Sequence, residues 1–164
     1  MELEKAVTEI RYIDNEAKEL TELDWARFCA VNNIPTEIAT RVQDLMKVVK
    51  NVAGHTINIG RIVVMKIIQF VENNPRLIIG MAIGAVVLSL ISLIPFIGPM
   101  LAPLAMAIGV FVGGAFGAYL DKVANGKAVS DSSIGSIAEG AIEAAKNFLE
   151  LFIDIIKSIK LYLD

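Results

Sequence analysis

Cysteine and histidine are scarce in this sequence of 164 residues, since each occurs once, as Cys29 and His55. A single cysteine excludes an internal disulfide and a zinc site built of thiolates. A single histidine excludes a metal site made of several histidines. We interpret Cys29 as a small core residue in preference to a reactive thiol. We interpret His55 as a polar residue at a helix break in preference to a pH switch.

Catalytic and nucleotide-binding motifs are missing as well. No G-x-x-x-x-G-K-[ST] pattern occurs, and the acidic residues stand singly along predicted helices. The one tryptophan and three tyrosines are too scattered for a base-stacking surface, and the net charge of −3 argues against a chain-wide nucleic-acid surface. We therefore predict no enzyme, no catalytic or metal-binding residues, no cofactor, no small-molecule substrate and no nucleic-acid partner.

Charge is absent from residues 77–120, which are 44 consecutive uncharged residues. The whole chain is 55% apolar with a mean hydropathy of +0.60, whereas soluble domains are usually about 45–50% apolar. One membrane-spanning helix needs about 20 apolar residues, so this segment has twice the length of one span. The segment predicts a helical hairpin that enters a lipid bilayer.

The prolines and glycines at the middle of this segment place the turn of the hairpin. We predict one leg over about Leu77–Ile94 and the other over about Leu101–Leu120. Inside hydrocarbon every backbone amide needs a partner, so the legs must be helices and the turn belongs near an interface. The predicted turn residues are Pro95, Gly98, Pro99 and Pro103.

Glycines recur at intervals of four in both legs. Small residues at this spacing form a flat face that another helix can approach closely. We predict packing of the hairpin or of a homo-oligomer within lipid, and the alternative is the same contact inside a soluble bundle. The predicted helix-packing residues are Gly80, Gly84, Gly109, Gly113 and Gly117.

Basic residues lie just outside the uncharged segment and none lies in its turn. By the positive-inside rule both termini would face the cytoplasm, and a soluble form before insertion is left open. No secretory signal is expected, because the first 20 residues are acidic and lack an apolar run. The bases predicted to face lipid headgroups are Arg61, Lys66, Arg76, Lys122 and Lys127.

Amphipathic helices are predicted on both sides of the hairpin. Residues 3–20 have helical periodicity, "TELD" opens a second helix, and Thr36 starts a third. Residues beyond it form either one kinked helix or two helices that meet near 53–58. A polar loop over 125–136, with a cap at Ser132 or Ser133, precedes a last helix over about 134–163 that carries one polar stripe. The predicted fold is a single all-α domain over 1–164, with 1–76 and 131–164 flanking the hairpin.

The segment "AIGVFVGGAFGAYLDKVANGK" at 107–127 resembles the hydrophobic hairpin of pore-forming colicins. In that family the second leg is rich in small residues and ends as Tyr119, Leu120, Asp121 and Lys122 do here. The family's domain is longer and has its hairpin close to the chain end, whereas a further long helix follows here. The resemblance implies a helical bundle that hides its hairpin in water and opens into a membrane to conduct ions.

The sequence-based hypothesis is a membrane-inserting helical protein that forms a pore or permeabilises a membrane, with a lipid bilayer and copies of itself as partners. The alternative is a non-conducting membrane-anchored protein that shapes the membrane or recruits partners. A conducting path is hard to line with the hairpin alone, since Ser89 and Ser92 carry its only serine or threonine hydroxyls. A third hypothesis is a soluble assembly that buries the hairpin between subunits.

Overall fold

The computed structural model describes residues 1–126 and 136–160, and within these residues the chain is all-α apart from one short β-ribbon. The predicted cap at Ser132 or Ser133 lies outside the described residues. In chain order the elements are α1 (Leu3–Ala17), α2 (Glu22–Asn32), α3 (Thr36–Leu45), β1 (Lys50–Val52), β2 (His55–Ile57), α4 (Ile59–Asn73), α5 (Ile79–Leu93), a 3₁₀ turn (Pro95–Ile97), α6 (Gly98–Val112), α7 (Gly114–Ala124) and α8 (Ser136–Ile159).

The helix starts and faces visible in the sequence are confirmed where the signal is local. The Thr21 side chain accepts a hydrogen bond from the backbone N–H of Asp24, and the Asp24 carboxylate accepts one from the N–H of Thr21. This reciprocal capping box satisfies two amides that have no partner within the helix. The same bonds hold the pKa of Asp24 below its usual value.

The segment between α3 and α4 differs from both predicted forms. The two helices do not form one kinked helix, and they do not meet at 53–58, because β1 and β2 pair as an antiparallel ribbon between them. Ala53 and Gly54 form its turn with φ of 49° and 85°, and Asn51 Oδ1 accepts a hydrogen bond from the Gly54 N–H at 3.1 Å. Positive φ at both central residues matches the twist of a two-residue hairpin. Val52 and Ile57 are buried and attach the ribbon to the bundle.

Helix α5 occupies the centre of the bundle. It packs against α4, α6, α7 and α8, while α1 covers α8 and α4, and α3 covers α6. Along α8 the predicted polar stripe is exposed, and the opposite face is buried. Amphipathic helices therefore enclose an apolar helix, as expected for a helix that is apolar on all sides. The exposed stripe consists of Glu139, Glu143, Lys146, Glu150, Asp154, Lys157 and Lys160.

The predicted second leg, Leu101–Leu120, is wrong as a single helix. The chain breaks at Gly113 and Gly114, whose φ angles are 66° and 62°, and α7 folds back against α6. Gly113 combines its positive φ with a ψ of −169°, a conformation almost restricted to glycine. The apolar segment therefore contains three helices where two were predicted.

A buried carboxylate joins α1 to the start of α4. Asp14 is 3% exposed, and its Oδ1 accepts hydrogen bonds from the backbone N–H of Asn58 at 2.7 Å and from Asn58 Nδ2 at 3.1 Å. The ammonium of Lys18 lies 3.5 Å from the other carboxylate oxygen. Asp14 thus supplies an acceptor at the N-terminus of α4, where backbone amides lack partners within the helix.

We expect Asp14→Ala to lower the free energy of unfolding by about 2–3 kcal/mol. A hydrogen bond to a charged group contributes about 1.5–3 kcal/mol, and the variant leaves the Asn58 amides without their acceptor. Asp44→Ala is the control, because Asp44 is exposed and such substitutions change stability by about 0.5 kcal/mol or less. Urea unfolding measures both, and equal midpoints for the two variants would contradict the assigned role of Asp14.

Candidate functional site: the apolar helices

Helix α5 has no polar face. Every residue from Ala82 to Ile91 is buried, and the only hydroxyl among them, that of Ser89, donates to the Ala85 carbonyl at 2.7 Å. This bond satisfies the hydroxyl within the helix itself, so the buried part of α5 presents no free side-chain polar group to its neighbours. The other hydroxyl of α5 belongs to the exposed Ser92 near the end of the helix. The helix could exchange its protein surroundings for hydrocarbon without breaking a hydrogen bond to another helix.

Helix α6 is equally apolar but lies partly at the surface. Pro95–Val112 is long and apolar enough to cross a membrane, and 33% of its residues are buried. It is the one such stretch among the described residues, whereas α5 is shorter. Val110 is 87% exposed, and Met106 and Phe111 are also exposed. They line an apolar groove between α6 and α3 that is bordered by Arg41.

The predicted turn residues do not all lie in the turn between α5 and α6. Pro95 starts the 3₁₀ turn, and Gly98 and Pro99 are the first residues of α6. In the first helical turn a proline costs no hydrogen bond, because a backbone N–H there would have no partner within the helix. Pro103 lies inside α6, so its assignment to the turn is wrong. The turn is thus shorter than predicted, because proline is compatible with the first helical turn.

The predicted glycine face is divided among several contacts within one chain. A Cβ on Gly80 would meet Phe111 and Val112, and a Cβ on Gly84 would meet Phe116 and Leu120. Both glycines therefore let α6 and α7 approach α5 closely.

The remaining three glycines shape the α6–α7 fold-back. Gly109 and Gly117 face each other where α6 and α7 cross, so that a Cβ on Gly117 would overlap the Gly109 carbonyl. Gly113 lies in the break, and a Cβ added to it would meet no atom within 4 Å, so it mediates no helix contact within the described chain. Four of the five predicted glycines thus mediate intrachain packing, and assembly into an oligomer stays a prediction.

The predicted basic residues do not form one surface. Arg76 and Lys122 are exposed, whereas Arg61 is partly buried and donates a hydrogen bond to the Leu20 carbonyl. Lys66 is half-buried with its ammonium 5.6 Å from the centre of the Phe148 ring. Burial lowers the pKa of Lys66, and the nearby Glu16 partly offsets that effect. Lys127 lies outside the described residues.

A small cavity lies beside the turn between α5 and α6, and we call it the turn cavity. It has a volume of about 220 Å³ and brings together four separated parts of the chain: β1, the start of α4, the turn with the start of α6, and the end of α8. Two lysines line it, Lys50 and Lys160, and the Lys160 ammonium lies 6.0 Å from the centre of the Phe96 ring. Sequence reasoning missed this cavity because no local pattern connects residues so far apart.

Neither an activated thiol nor a cluster of metal ligands occurs among the described residues. Cys29 is partly buried, and burial raises the pKa of its thiol to about 11, which disfavours the reactive thiolate. Over residues 1–126 and 136–160, no three histidine, cysteine, aspartate or glutamate side chains lie close enough to hold a metal ion.

Comparison with known proteins identifies no relative: no family model, no curated protein and no solved structure matches this chain.

Proposed function

We propose that this protein inserts its apolar helices α5 and α6 into a lipid bilayer and permeabilises it. The observation that carries the proposal is the surface position of Pro95–Val112, which is apolar enough to span a membrane while 33% of its residues are buried. Exposing apolar side chains to water is unfavourable, and contiguous exposed apolar surface commonly marks an interaction site. Lipid hydrocarbon is the environment that the uncharged segment 77–120 matches best.

The arrangement of the other helices supports the same proposal. Their apolar faces pack inward on α5 and their polar faces lie outward, so they keep the apolar helix in water. In contact with a membrane, the same amphipathic helices can lie in the interface with their apolar faces toward the acyl chains. The apolar contacts within the bundle can thereby be exchanged for lipid contacts at little cost.

Permeabilisation requires a polar path, which α5 and α6 do not offer by themselves. Ser89 is already bonded within α5, Ser92 is the one other serine of segment 77–120, and no residue of this segment is charged at neutral pH. The path would therefore be lined by the polar faces of flanking helices, and α8 has a continuous one. In this arrangement α5 and α6 contact the lipid, and the polar face of α8 contacts the water-filled side.

Vesicle flotation and dye leakage, measured on the same sample, test this proposal. We expect the wild-type protein to float with vesicles made of phosphatidylglycerol and phosphatidylcholine and to release an entrapped dye. Flotation without release would overturn permeabilisation and favour the non-conducting anchor. Recovery of all protein in the soluble fraction would overturn membrane insertion altogether.

A further inference from the structure

The turn cavity combines an apolar interior with a cationic rim. Phe96, Met100, Phe152 and Ile156 contribute apolar surface, whereas Lys50 and Lys160 are its only charged lining residues, and no acidic side chain of the described chain lines it. Binding sites for small molecules are commonly apolar concavities with a few placed polar groups. The complementary ligand has an apolar chain and an anionic head.

The size of the cavity limits how much of that ligand it can hold. Its volume of about 220 Å³ lies below the roughly 300–1,000 Å³ of ordinary ligand sites. Part of one acyl chain fits, and the rest must stay outside. Phe96 is 40% exposed beside the cavity and extends its apolar surface outward.

The position of the cavity favours a lipid that remains in its membrane. It lies at the tip of the α5–α6 pair, which is the end that the proposed insertion would bring to the bilayer first. Lysines near a membrane surface are attracted to anionic lipids, with about 1 kcal/mol for each base. Both lysines belong to elements outside the apolar segment, so they can stay at headgroup level.

We propose that the turn cavity binds one anionic phospholipid, with its phosphate between Lys50 and Lys160 and the end of one acyl chain against Phe152 and Ile156. The inference rests on the proposed function, because it names the lipid class that the inserting end of the molecule contacts. The site is already formed in the folded bundle, however, so lipid binding to it can be measured without insertion into a membrane.

Titration with dissolved lipid monomers tests the site. We would follow backbone amide NMR signals while adding dihexanoyl phosphatidylglycerol below its critical micelle concentration. We expect saturable shifts around Lys50, Phe96 and Lys160, and at least tenfold weaker binding of dihexanoyl phosphatidylcholine and of glycerol phosphate. Equal affinity for the two lipids would overturn the cationic site, and equal affinity for glycerol phosphate would overturn the acyl-chain site. Tighter binding of hexanoate would identify a free fatty acid in place of the phospholipid.

Two double variants that lose the same charge distinguish lipid binding in this cavity from general attraction of anionic lipid to basic residues. Lys50→Gln with Lys160→Gln should weaken binding of the anionic lipid at least tenfold. Lys47→Gln with Lys157→Gln removes the same charge from exposed lysines outside the cavity lining and should leave the affinity within twofold. Equal losses in the two double variants would overturn the site.

The lipid titration and the vesicle assays can fail independently, so failure of the lipid site can be distinguished from failure of the proposed function. If the lipid monomers do not bind to the protein but the protein makes vesicles leak, the lipid site is wrong and permeabilisation stands. If the monomers bind but no protein floats with vesicles, insertion is wrong and the cavity is a lipid site of a soluble protein.

Discussion

Val110→Asp is expected to reduce partitioning into vesicles about a hundredfold and to abolish dye release. Val110 is 87% exposed in the bundle, so the substitution should alter the stability of the folded bundle by about 0.5 kcal/mol or less. If the chain straightens at Gly113 and Gly114 on insertion, residues 98–120 form one spanning helix and Val110 lies near its middle. An aspartate at the centre of a spanning helix costs about 2.5–3.5 kcal/mol, and each 1.4 kcal/mol is about a factor of ten.

Val31→Asp is the matched control for this variant. Val31 is also a helical valine, 80% exposed, but it lies on α2, outside the uncharged segment. We expect it to partition and release dye like the wild-type protein. Equal loss in both variants would show that the added negative charge repels anionic vesicles, and it would remove the support for insertion at Val110.

Gly60→Ala is expected to lower the free energy of unfolding by about 3 kcal/mol or more. Gly60 lies in the first turn of α4, where its N–H donates to the Val48 carbonyl at 3.0 Å. A Cβ at this position would overlap the backbone carbonyl of Leu45 at the end of α3. Because the obstacle is backbone, no side-chain rotation can relieve it, and overpacking of this kind commonly costs about 1–3 kcal/mol and sometimes more.

Gly140→Ala makes the same chemical change as Gly60→Ala but is expected to raise the free energy of unfolding. Gly140 lies within α8, is exposed, and has open space around the added Cβ. Alanine is favoured over glycine inside a helix by about 1 kcal/mol, so this variant should be more stable than the wild-type protein. Thermal and urea unfolding compare the two, and a Gly60→Ala protein with the wild-type midpoint would contradict the close contact between α3 and α4.

The features predictable from the sequence are those encoded by neighbouring residues. The reciprocal pairing of Thr21 and Asp24 and the polar stripe of α8 depend on spacings of three and four, which a single helix determines. The all-α class follows from the same periodicity and is confirmed, whereas the central transmembrane hairpin stays a prediction. The ribbon at 50–57 escaped prediction because its strands have three residues each and depend on burial of Val52 and Ile57 against distant helices.

The glycines show most clearly what the sequence leaves undetermined. Gly109, Gly113 and Gly117 have the same spacing, yet two form a close crossing and the third forms a break. Periodicity can indicate a close approach, but the partner surface depends on tertiary structure. Lys50 and Lys160 likewise come together only through the fold, since they lie 110 positions apart in the sequence.

The break at Gly113 and Gly114 limits the length of the helices in the apolar segment. At 1.5 Å per residue, the 15 residues of α6 extend about 22 Å and the 11 residues of α7 about 16 Å, whereas a hydrocarbon layer is about 30 Å thick. With the preceding 3₁₀ turn, Pro95–Val112 extends about 28 Å, which only just suffices for one pass. Straightened through the glycine pair, residues 98–120 would extend about 35 Å and would span that layer. We therefore expect insertion to straighten the chain at Gly113 and Gly114, because the longer helix would cross the layer with a margin that the folded segment lacks.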